Sequence, residues 1–359
     1  MEKDTKYIVH VGNGPDMGGG ITTVMDAITQ NYMMKEYNFK MIYTVATNKK
    51  ILTFLKSLIE IFKLLANRKI ELVHMHMATR GSFYRKTLLI LLFKIVKVPV
   101  VVHSHGAEFQ KFYNDLPSLL KKYANYSLNE ANYIIALTDS WKEFYSKFIK
   151  NKDKIIVIGN FIELPKNEVV RECDSEIVQI LFLGRLGHRK GTYDLINSAE
   201  ILSKKKLKFK IILAGDGEIQ KCKQIIKDKN IEEYVEVVGW INKDGREKYL
   251  INSDLLTLPS YFESFGVALI EAMSYKLPVV ASTGGQMYEV IRENIDGLLV
   301  EPGNELQLAN ALEKLIRNKQ LRKQYGENGY EQVRNKFTEN VIIPKYKNIY
   351  DTIISNKRS

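Results

Sequence analysis

The sequence predicts a two-domain α/β protein in which each domain is a doubly wound parallel sheet. Three observations predict it. The chain has 359 residues, too long for one ordinary core and suited to two domains of about 150 to 200 residues each. Short β-rich apolar runs alternate with longer amphipathic segments along the whole chain, the signature of parallel βαβ architecture. A polar stretch, Glu163–Glu176, carries Pro165, Asn167 and several charges and reads as an interdomain linker.

In the first half the strand-like runs are Tyr7–Val11, Phe39–Val45, Leu72–Met75, Val98–Val102, Tyr133–Leu137 and Ile155–Ile158. Each is short and rich in β-branched and aromatic residues, as strands covered on both faces are. Helical patterns fall between them: one from Ile21, then Ile51–Ala66 and Ser82–Val96. The second alternation starts at Ile177. Its strands are Ile180–Leu183, Phe209–Leu213, Val235–Val238, Asp254–Leu258, Pro278–Ala281 and Gly297–Val300, and its helices include Thr192–Ser203, Gly266–Ser274 and Glu305–Arg317. A closing helix, Val341–Ile354, is expected to pack back on the first domain. The expected domains are residues 1–165 with a C-terminal helix of about 340–359, and residues 166–339. Two such sheets in series leave a crevice outside the carboxyl ends of their strands, where doubly wound folds bind ligands.

Composition narrows the function. Hydrophobic residues make up 45% and charged residues 26%, the balance of a soluble globular chain. No apolar run reaches the roughly 20 residues that span a bilayer, and Leu88–Val96 is cut short by Lys94 and Lys97. The start of the chain shows no signal-peptide pattern. The two cysteines, Cys173 and Cys222, lack metal or redox spacing, so a reduced, cytoplasmic chain is expected. The net charge of +12 is uneven: the first 170 residues hold 24 Lys and Arg against 15 Asp and Glu, the rest 29 against 26. That asymmetry suggests an anionic partner. Nucleic acid is not expected, because no helix-turn-helix, zinc-finger or ribonucleoprotein pattern is present. The Ile51–Lys69 segment places Leu52, Leu55, Leu58, Ile59, Phe62 and Leu65 on one side, among Lys56, Lys63, Arg68 and Lys69. Packing of that side on its own sheet is the first expectation; peripheral contact with anionic membrane is the second.

The chemistry concentrates in the second half. Strand Ile180–Leu183 runs into Gly184-Arg185-Leu186-Gly187-His188-Arg189-Lys190-Gly191 and then a helix. Arg185, Arg189 and Lys190 put cations where a strand-to-helix loop meets the crevice, and such groups grip phosphate. After strand Asp254–Leu258 comes Pro259-Ser260-Tyr261-Phe262-Glu263-Ser264-Phe265-Gly266-Val267, where a helix begins. Its free N–H groups and positive dipole end suit a diphosphate at the Phe265, Gly266 and Val267 backbone. Glu263 lies just outside that end and Glu271 about two turns along the helix. Two carboxylates beside an anion site are tolerable where they meet uncharged hydroxyls, as on a sugar and a ribose.

Glu263 and Glu271, with seven residues between them, resemble the signature of retaining glycosyltransferases of the GT-B fold, family four. The resemblance continues through Gly184-Arg185, Lys190-Gly191, Gly215-Asp216-Gly217, Gly239-Trp240, Gly284-Gly285 and Asp296-Gly297-Leu298-Leu299-Val300, and spans nearly all of residues 178–335. It implies two Rossmann-like domains facing a central cleft. It also implies that Arg185 and Lys190 bind the donor diphosphate, Glu263 the transferred sugar and Glu271 the ribose. Phe265, Gly266 and Val267 would contribute backbone contacts, and Trp240 and Ile241 would flank the base. Arg189 has no role fixed by the resemblance.

In the first half, strand Tyr7–Val11 leads into Gly12-Asn13-Gly14-Pro15-Asp16-Met17-Gly18-Gly19-Gly20. Consecutive glycines at a helix start allow close backbone approach to a ligand. The run departs from Gly-x-Gly-x-x-Gly, and strand Phe39–Val45 is not followed by a carboxylate, so a nicotinamide dehydrogenase is not expected. By the resemblance Gly18, Gly19 and Gly20 lie beside the donor diphosphate and the acceptor. Strand Val98–Val102 ends in His103-Ser104-His105-Gly106, expected to project into the crevice. The resemblance implies a His near the reacting carbon, with His105 the better match and His103 the alternative register. His74, His76, His103 and His105 together invite a metal reading, yet no convergent carboxylate and no Asp-x-Asp accompany them, so no metal is expected. Segment Arg80–Lys86 is a candidate for an acceptor phosphate.

The expected reaction is transfer of a hexosyl or N-acetylhexosaminyl group from a UDP- or GDP-sugar to a glycan or lipid-linked acceptor, in polysaccharide or cell-envelope assembly. Arg185, Lys190 and the Gly266 helix end would stabilise charge on the departing phosphate. His105 and Glu263 complete the catalytic set, and no cofactor beyond the nucleotide sugar is expected. The expected location is the cytoplasm, with contact to the inner face of the cell membrane. The rivals are a nucleotide-sugar epimerase on the same scaffold and a noncatalytic partner of a glycosyltransferase complex.

Overall fold

The computed structural model describes residues 5–17, 20–47, 50–167, 169 and 176–358. They fall into two compact units, Met1–Asn160 with Asn340–Ser359, and Phe161–Glu339. The first unit holds β1 (Tyr7–Gly12), β2 (Phe39–Tyr43), β3 (Ile70–Met77), β4 (Val100–Ser104), β5 (Tyr133–Ala136) and β6 (Ile155–Val157) in the order β2-β1-β3-β4-β5-β6. The second holds β7 (Val178–Leu183), β8 (Phe209–Ala214), β9 (Val235–Gly239), β10 (Leu255–Leu258), β11 (Val279–Ser282) and β12 (Gly297–Val300) in the order β12-β11-β10-β7-β8-β9. Every strand pairing is parallel. The α/β expectation holds, and each predicted strand is present with ends displaced by at most two residues. The central strands are buried along their length, β4, β10 and β11 without a break, which is why they read as continuous apolar runs.

Strand order fixes where each sheet opens. In the second unit β7 and β10 are neighbours although three strands apart in sequence. Connections leave them in opposite directions across the sheet, and loops following such strands diverge to form a crevice. The first unit has the equivalent point between β1 and β3.

The helix Lys50–Ala66 departs from the packing expectation. It buries only Ser57 and Ile61, whereas Ile51, Leu52, Leu55, Ile59 and Phe62 are exposed. The apolar stripe therefore faces away from the sheet. The closing helix, Glu339–Arg358, does cover the first sheet: Tyr346 and Tyr350 are fully buried against His74. Segment Arg80–Lys86 is only partly available to an acceptor. Lys86 is fully buried, donates to the Thr44 hydroxyl and has its pKa pushed well down by burial and by neighbouring Arg85. Cys222 is a buried free thiol; Cys173 lies outside the described residues. Among the described residues no helix is long and apolar enough to cross a membrane.

Candidate active site

The loops that follow β7, β8, β10 and β11 in the second unit are clasped backbone to backbone. Gly191 has φ +69°, and a Cβ there would lie 2.0 Å from the Pro259 carbonyl oxygen. Gly285 has φ +79°, and its Cβ would lie 1.9 Å from the Glu263 carbonyl oxygen. Only glycine permits both the conformation and the approach. Across the same edge Tyr261 N–H donates to the Arg189 carbonyl at 2.9 Å, and Gln286 N–H to the Glu263 carbonyl at 3.0 Å. These contacts hold Lys190 beside Glu263 at the switch point.

Each carboxylate of the predicted pair has a cation. Lys190 Nζ donates to Glu263 Oε2, with both side chains mostly buried. Arg246 Nη1 donates to both oxygens of Glu271 at 2.8 Å. Burial pushes the Glu271 carboxyl above its ordinary value, against the opposing pull of Arg246. Arg185 is 69% exposed and reaches Asp216 at 2.9 Å, so its guanidinium is held by one exposed ion pair of little intrinsic strength. Arg189 ties two loops together, its Nη1 donating to the Phe262 carbonyl at 3.3 Å.

The helix Val267–Ser274 starts at Gly266, in left-handed conformation (φ +85°), and no side chain caps it. A Cβ at Gly266 would come within 2.7 Å of Leu269 Cδ1. This uncapped, positively polarised helix start follows three residues after Glu263, the partner of Lys190, and free N–H groups at such an end favour anionic oxygen. Phe265 is 2% exposed and meets Phe337 edge to face at 5.4 Å, so it anchors the loop and can offer a ligand only its backbone. Trp240, just beyond β9, is 72% exposed, and Ile241 follows it, partly exposed.

Two family models match this chain in succession. The model described as Glycosyltransferase Family 4 covers residues 34–166, and that described as Glycosyl transferases group 1 covers 166–332. The chain belongs to glycosyltransferase family four. This glycosyltransferase is 27% identical to a 41.2 kDa protein in the cps region of Klebsiella pneumoniae, over 82% of its own length and 85% of the relative's. It is 25% identical to the UDP-Gal:alpha-D-GlcNAc-diphosphoundecaprenol alpha-1,3-galactosyltransferase of Escherichia coli, over 88% and 84% of the two chains. HepE of Anabaena, crystallised with UDP and glucose, shares the fold with a TM-score of 0.77 at 16% identity, covering 96% of this chain and 99% of that one.

The first unit of the transferase corrects one expectation. His103 does not project into a crevice; it lies inside β4 and is fully buried, as are His10, His74 and His76. His105, just beyond the strand end, is partly exposed, and its backbone N–H donates to the Met77 carbonyl at 2.8 Å. Burial pushes the imidazole pKa of His10 and His105 down to about 3. His74, His76 and His103 are pushed well down by burial and by neighbouring imidazoles. Two triads, His10/His74/His76 and His76/His103/His105, place one nitrogen of each imidazole within 4.8 Å of the others. Neither contains a carboxylate, so a dication there would sit in apolar core without a counter-charge. Gly20 opens the helix Gly20–Thr29 with open space around it; Gly18 and Gly19 lie outside the described residues.

Thus Arg185, Lys190, Glu263, Phe265, Gly266 and Val267 are arranged along one edge of the second sheet. Glu271 lies on that helix, and Trp240 and Ile241 follow the neighbouring strand β9. Sequence reasoning missed Arg246, which sits on the helix Lys243–Asn252, 25 residues before its partner Glu271. It also missed Tyr350, 276 residues from the His74 it contacts.

Proposed function

We propose that the enzyme transfers a hexosyl or N-acetylhexosaminyl group, with retention, from a nucleotide-diphosphate sugar to a glycan or lipid-linked acceptor in polysaccharide or cell-envelope assembly. The observation that carries the reading is the switch-point edge of the second sheet. There Lys190 pairs with Glu263, three residues before the uncapped Gly266 helix start, with Arg185 on the same loop as Lys190. Charge growing on the leaving phosphate would be met by preorganised groups; in this reading Lys190 exchanges Glu263 for the diphosphate, and Glu263 turns to sugar hydroxyls. Glu271 would hold the ribose, Trp240 and Ile241 the base, and His105 the reacting end of the sugar, with Gly18, Gly19 and Gly20 beside the phosphates. The names of the Escherichia coli and Anabaena proteins favour a uridine donor. No metal is needed where fixed cations and helix N–H groups balance the charge. The expected result is thermal stabilisation by UDP, and transfer from a UDP-sugar to a lipid-diphosphate-linked acceptor that survives excess chelator. Conversion of the donor without acceptor would show an epimerase, and loss of turnover restored by magnesium would refute the metal-free mechanism.

We also propose that the first unit rests on anionic membrane at the cytoplasmic face. Ile51, Leu52, Leu55, Ile59 and Phe62 form the exposed stripe, flanked by exposed Lys50, Lys56 and Lys63. The connections from β2 to β3 and from β3 to β4 run in the same direction across the sheet. Right-handed crossovers therefore put the helices Lys50–Ala66 and Gly81–Ile95 on one face, where the second adds exposed Leu88, Lys94 and Ile95. Apolar side chains ringed by lysine match the interface of an anionic bilayer. The wild type should sediment with phosphatidylglycerol vesicles and not with phosphatidylcholine alone, and the Leu55→Asp/Phe62→Asp variant should stay in the supernatant. Equal sedimentation of wild type and variant would overturn the assignment.

A further inference from the structure

Five of the six histidines of the chain form one hydrogen-bonded file with Tyr350. It runs from His105 Nε2 to His76 Nδ1 (3.0 Å), from His76 Nε2 to His10 Nδ1 (3.1 Å), and from His10 Nε2 to the Tyr350 hydroxyl (3.2 Å). The same hydroxyl meets His74 Nδ1 at 2.5 Å, and His74 Nε2 meets His103 Nδ1 at 3.3 Å. The file ends at His103 Nε2, which is buried with no partner among the described residues. At the other end, His105 Nδ1 has none among the described residues.

Proton counting restricts this file sharply. A neutral imidazole has one N–H and one bare nitrogen, and a tyrosine hydroxyl has one proton to give. Each link needs one donor and one acceptor, so through every imidazole the choice at one link dictates the next. With the Tyr350 proton also used, only two arrangements satisfy all five links: every imidazole protonated on Nδ1, or every imidazole protonated on Nε2. A third, in which the Tyr350 oxygen accepts from both His10 and His74, leaves its buried O–H without an acceptor. The first two differ at the ends. The Nε2 arrangement strands a buried N–H donor at His103, whereas the Nδ1 arrangement strands only an acceptor there. Orphaned buried N–H groups are the rarer defect in folded proteins.

We infer that the file is proton-ordered with all five imidazoles in the Nδ1–H form, so that His105 presents an N–H donor, never an acceptor, to substrate. The inference rests on the reading of His105 as a site residue only for its last clause. His10, His74, His76, His103 and Tyr350 are then positioning residues: none reaches substrate, and together they set the tautomer and the ring angle of His105. Tyr350 is the keystone, because its hydroxyl accepts from His74 and donates to His10. The C-terminal helix thereby governs the proton on a residue more than 200 positions earlier in the sequence.

Long-range ¹H–¹⁵N spectra of ¹⁵N-histidine-labelled enzyme at pH 7.5 test this directly, with exposed His188, outside the file, as the reference. Five residues should show a protonated Nδ1 and a bare Nε2. Tyr350→Phe cuts the file, and His10, His76 and His105 should then show mixed tautomers. In the same variant kcat should fall about fivefold, the worth of one hydrogen bond, with the donor KM unchanged. Mixed or Nε2-protonated signals in the wild type, or a stoichiometric metal ion in the purified protein, would overturn the inference. If Tyr350→Phe fails to fold, the wild-type spectrum still decides. Shifted tautomers with unchanged kcat would leave the proton order standing and remove His105 from the reaction.

Discussion

Replacing Lys190 with alanine is expected to lower kcat/KM by about 10³-fold, the upper range for removing one preorganised group from a developing anion. Lys190 is 16% exposed and Glu263 15%, so their pairing is poorly screened. Without the ammonium, Glu263 is left as a mostly buried carboxylate facing the incoming diphosphate, and repulsion adds to the lost attraction. Lys190→Arg should recover little, because a planar fork cannot occupy the place of a compact ammonium beside Glu263. Arg185→Ala should cost less, about 10²-fold, since its exposed side chain must first be ordered by the donor. In each variant the far-UV spectrum should stay near wild type, and Lys190→Ala should melt somewhat lower because Glu263 loses its partner. Lys190→Ala turning over within threefold of wild type would refute the phosphate assignment.

The second large effect is on stability. Acidification from pH 7.5 to 5 is expected to unfold the first unit. The sign follows from proton counts: His10, His74, His76 and His103 are held neutral in the folded state by burial, while the unfolded chain protonates them below about pH 6.5. The unfolded state binds more protons throughout that window, so stability falls as pH falls, by about 1.4 kcal/mol per unit per group at full slope. By pH 5 these four together withdraw about 8 kcal/mol, comparable with a whole domain's stability of about 5 to 15 kcal/mol. The surrounding titratable groups, Tyr37, Tyr346 and Tyr350, have raised pKa values through burial, stay neutral in acid, and supply no counter-charge. Trp141 is buried in the first unit and Trp240 exposed in the second, so a red shift of Trp141 emission, read in a Trp240→Phe background, follows the event. An emission maximum constant from pH 7.5 to 4.5 would refute it.

Particular elements show why some features were legible beforehand. The loop Gly184–Gly191 could be read as a strand-to-helix turn because a tight turn demands glycine, a local requirement written in adjacent residues. The helix Lys319–Lys336 could not. It packs through Gly326, where a Cβ would lie 2.1 Å from the Lys276 carbonyl oxygen, and through Gly329 against Met273, so no apolar stripe betrays it. The helix Lys50–Ala66 shows the opposite case. Its stripe is plain, but periodicity records only that one side is apolar, and the structure turns that side outward.

Residue order alone was enough to establish twelve parallel strands in two sheets and the loops that carry the proposed phosphate-binding groups, because strand period, turn chemistry and capping act over a few neighbouring residues. Folding in three dimensions decided which charges meet: Glu271 with Arg246, Lys190 with Glu263, and five histidines with one tyrosine from the far end of the chain. Those pairings arise from strand order and helix packing, and hydrogen bonds and desolvation depend on distances in space that no sequence interval encodes.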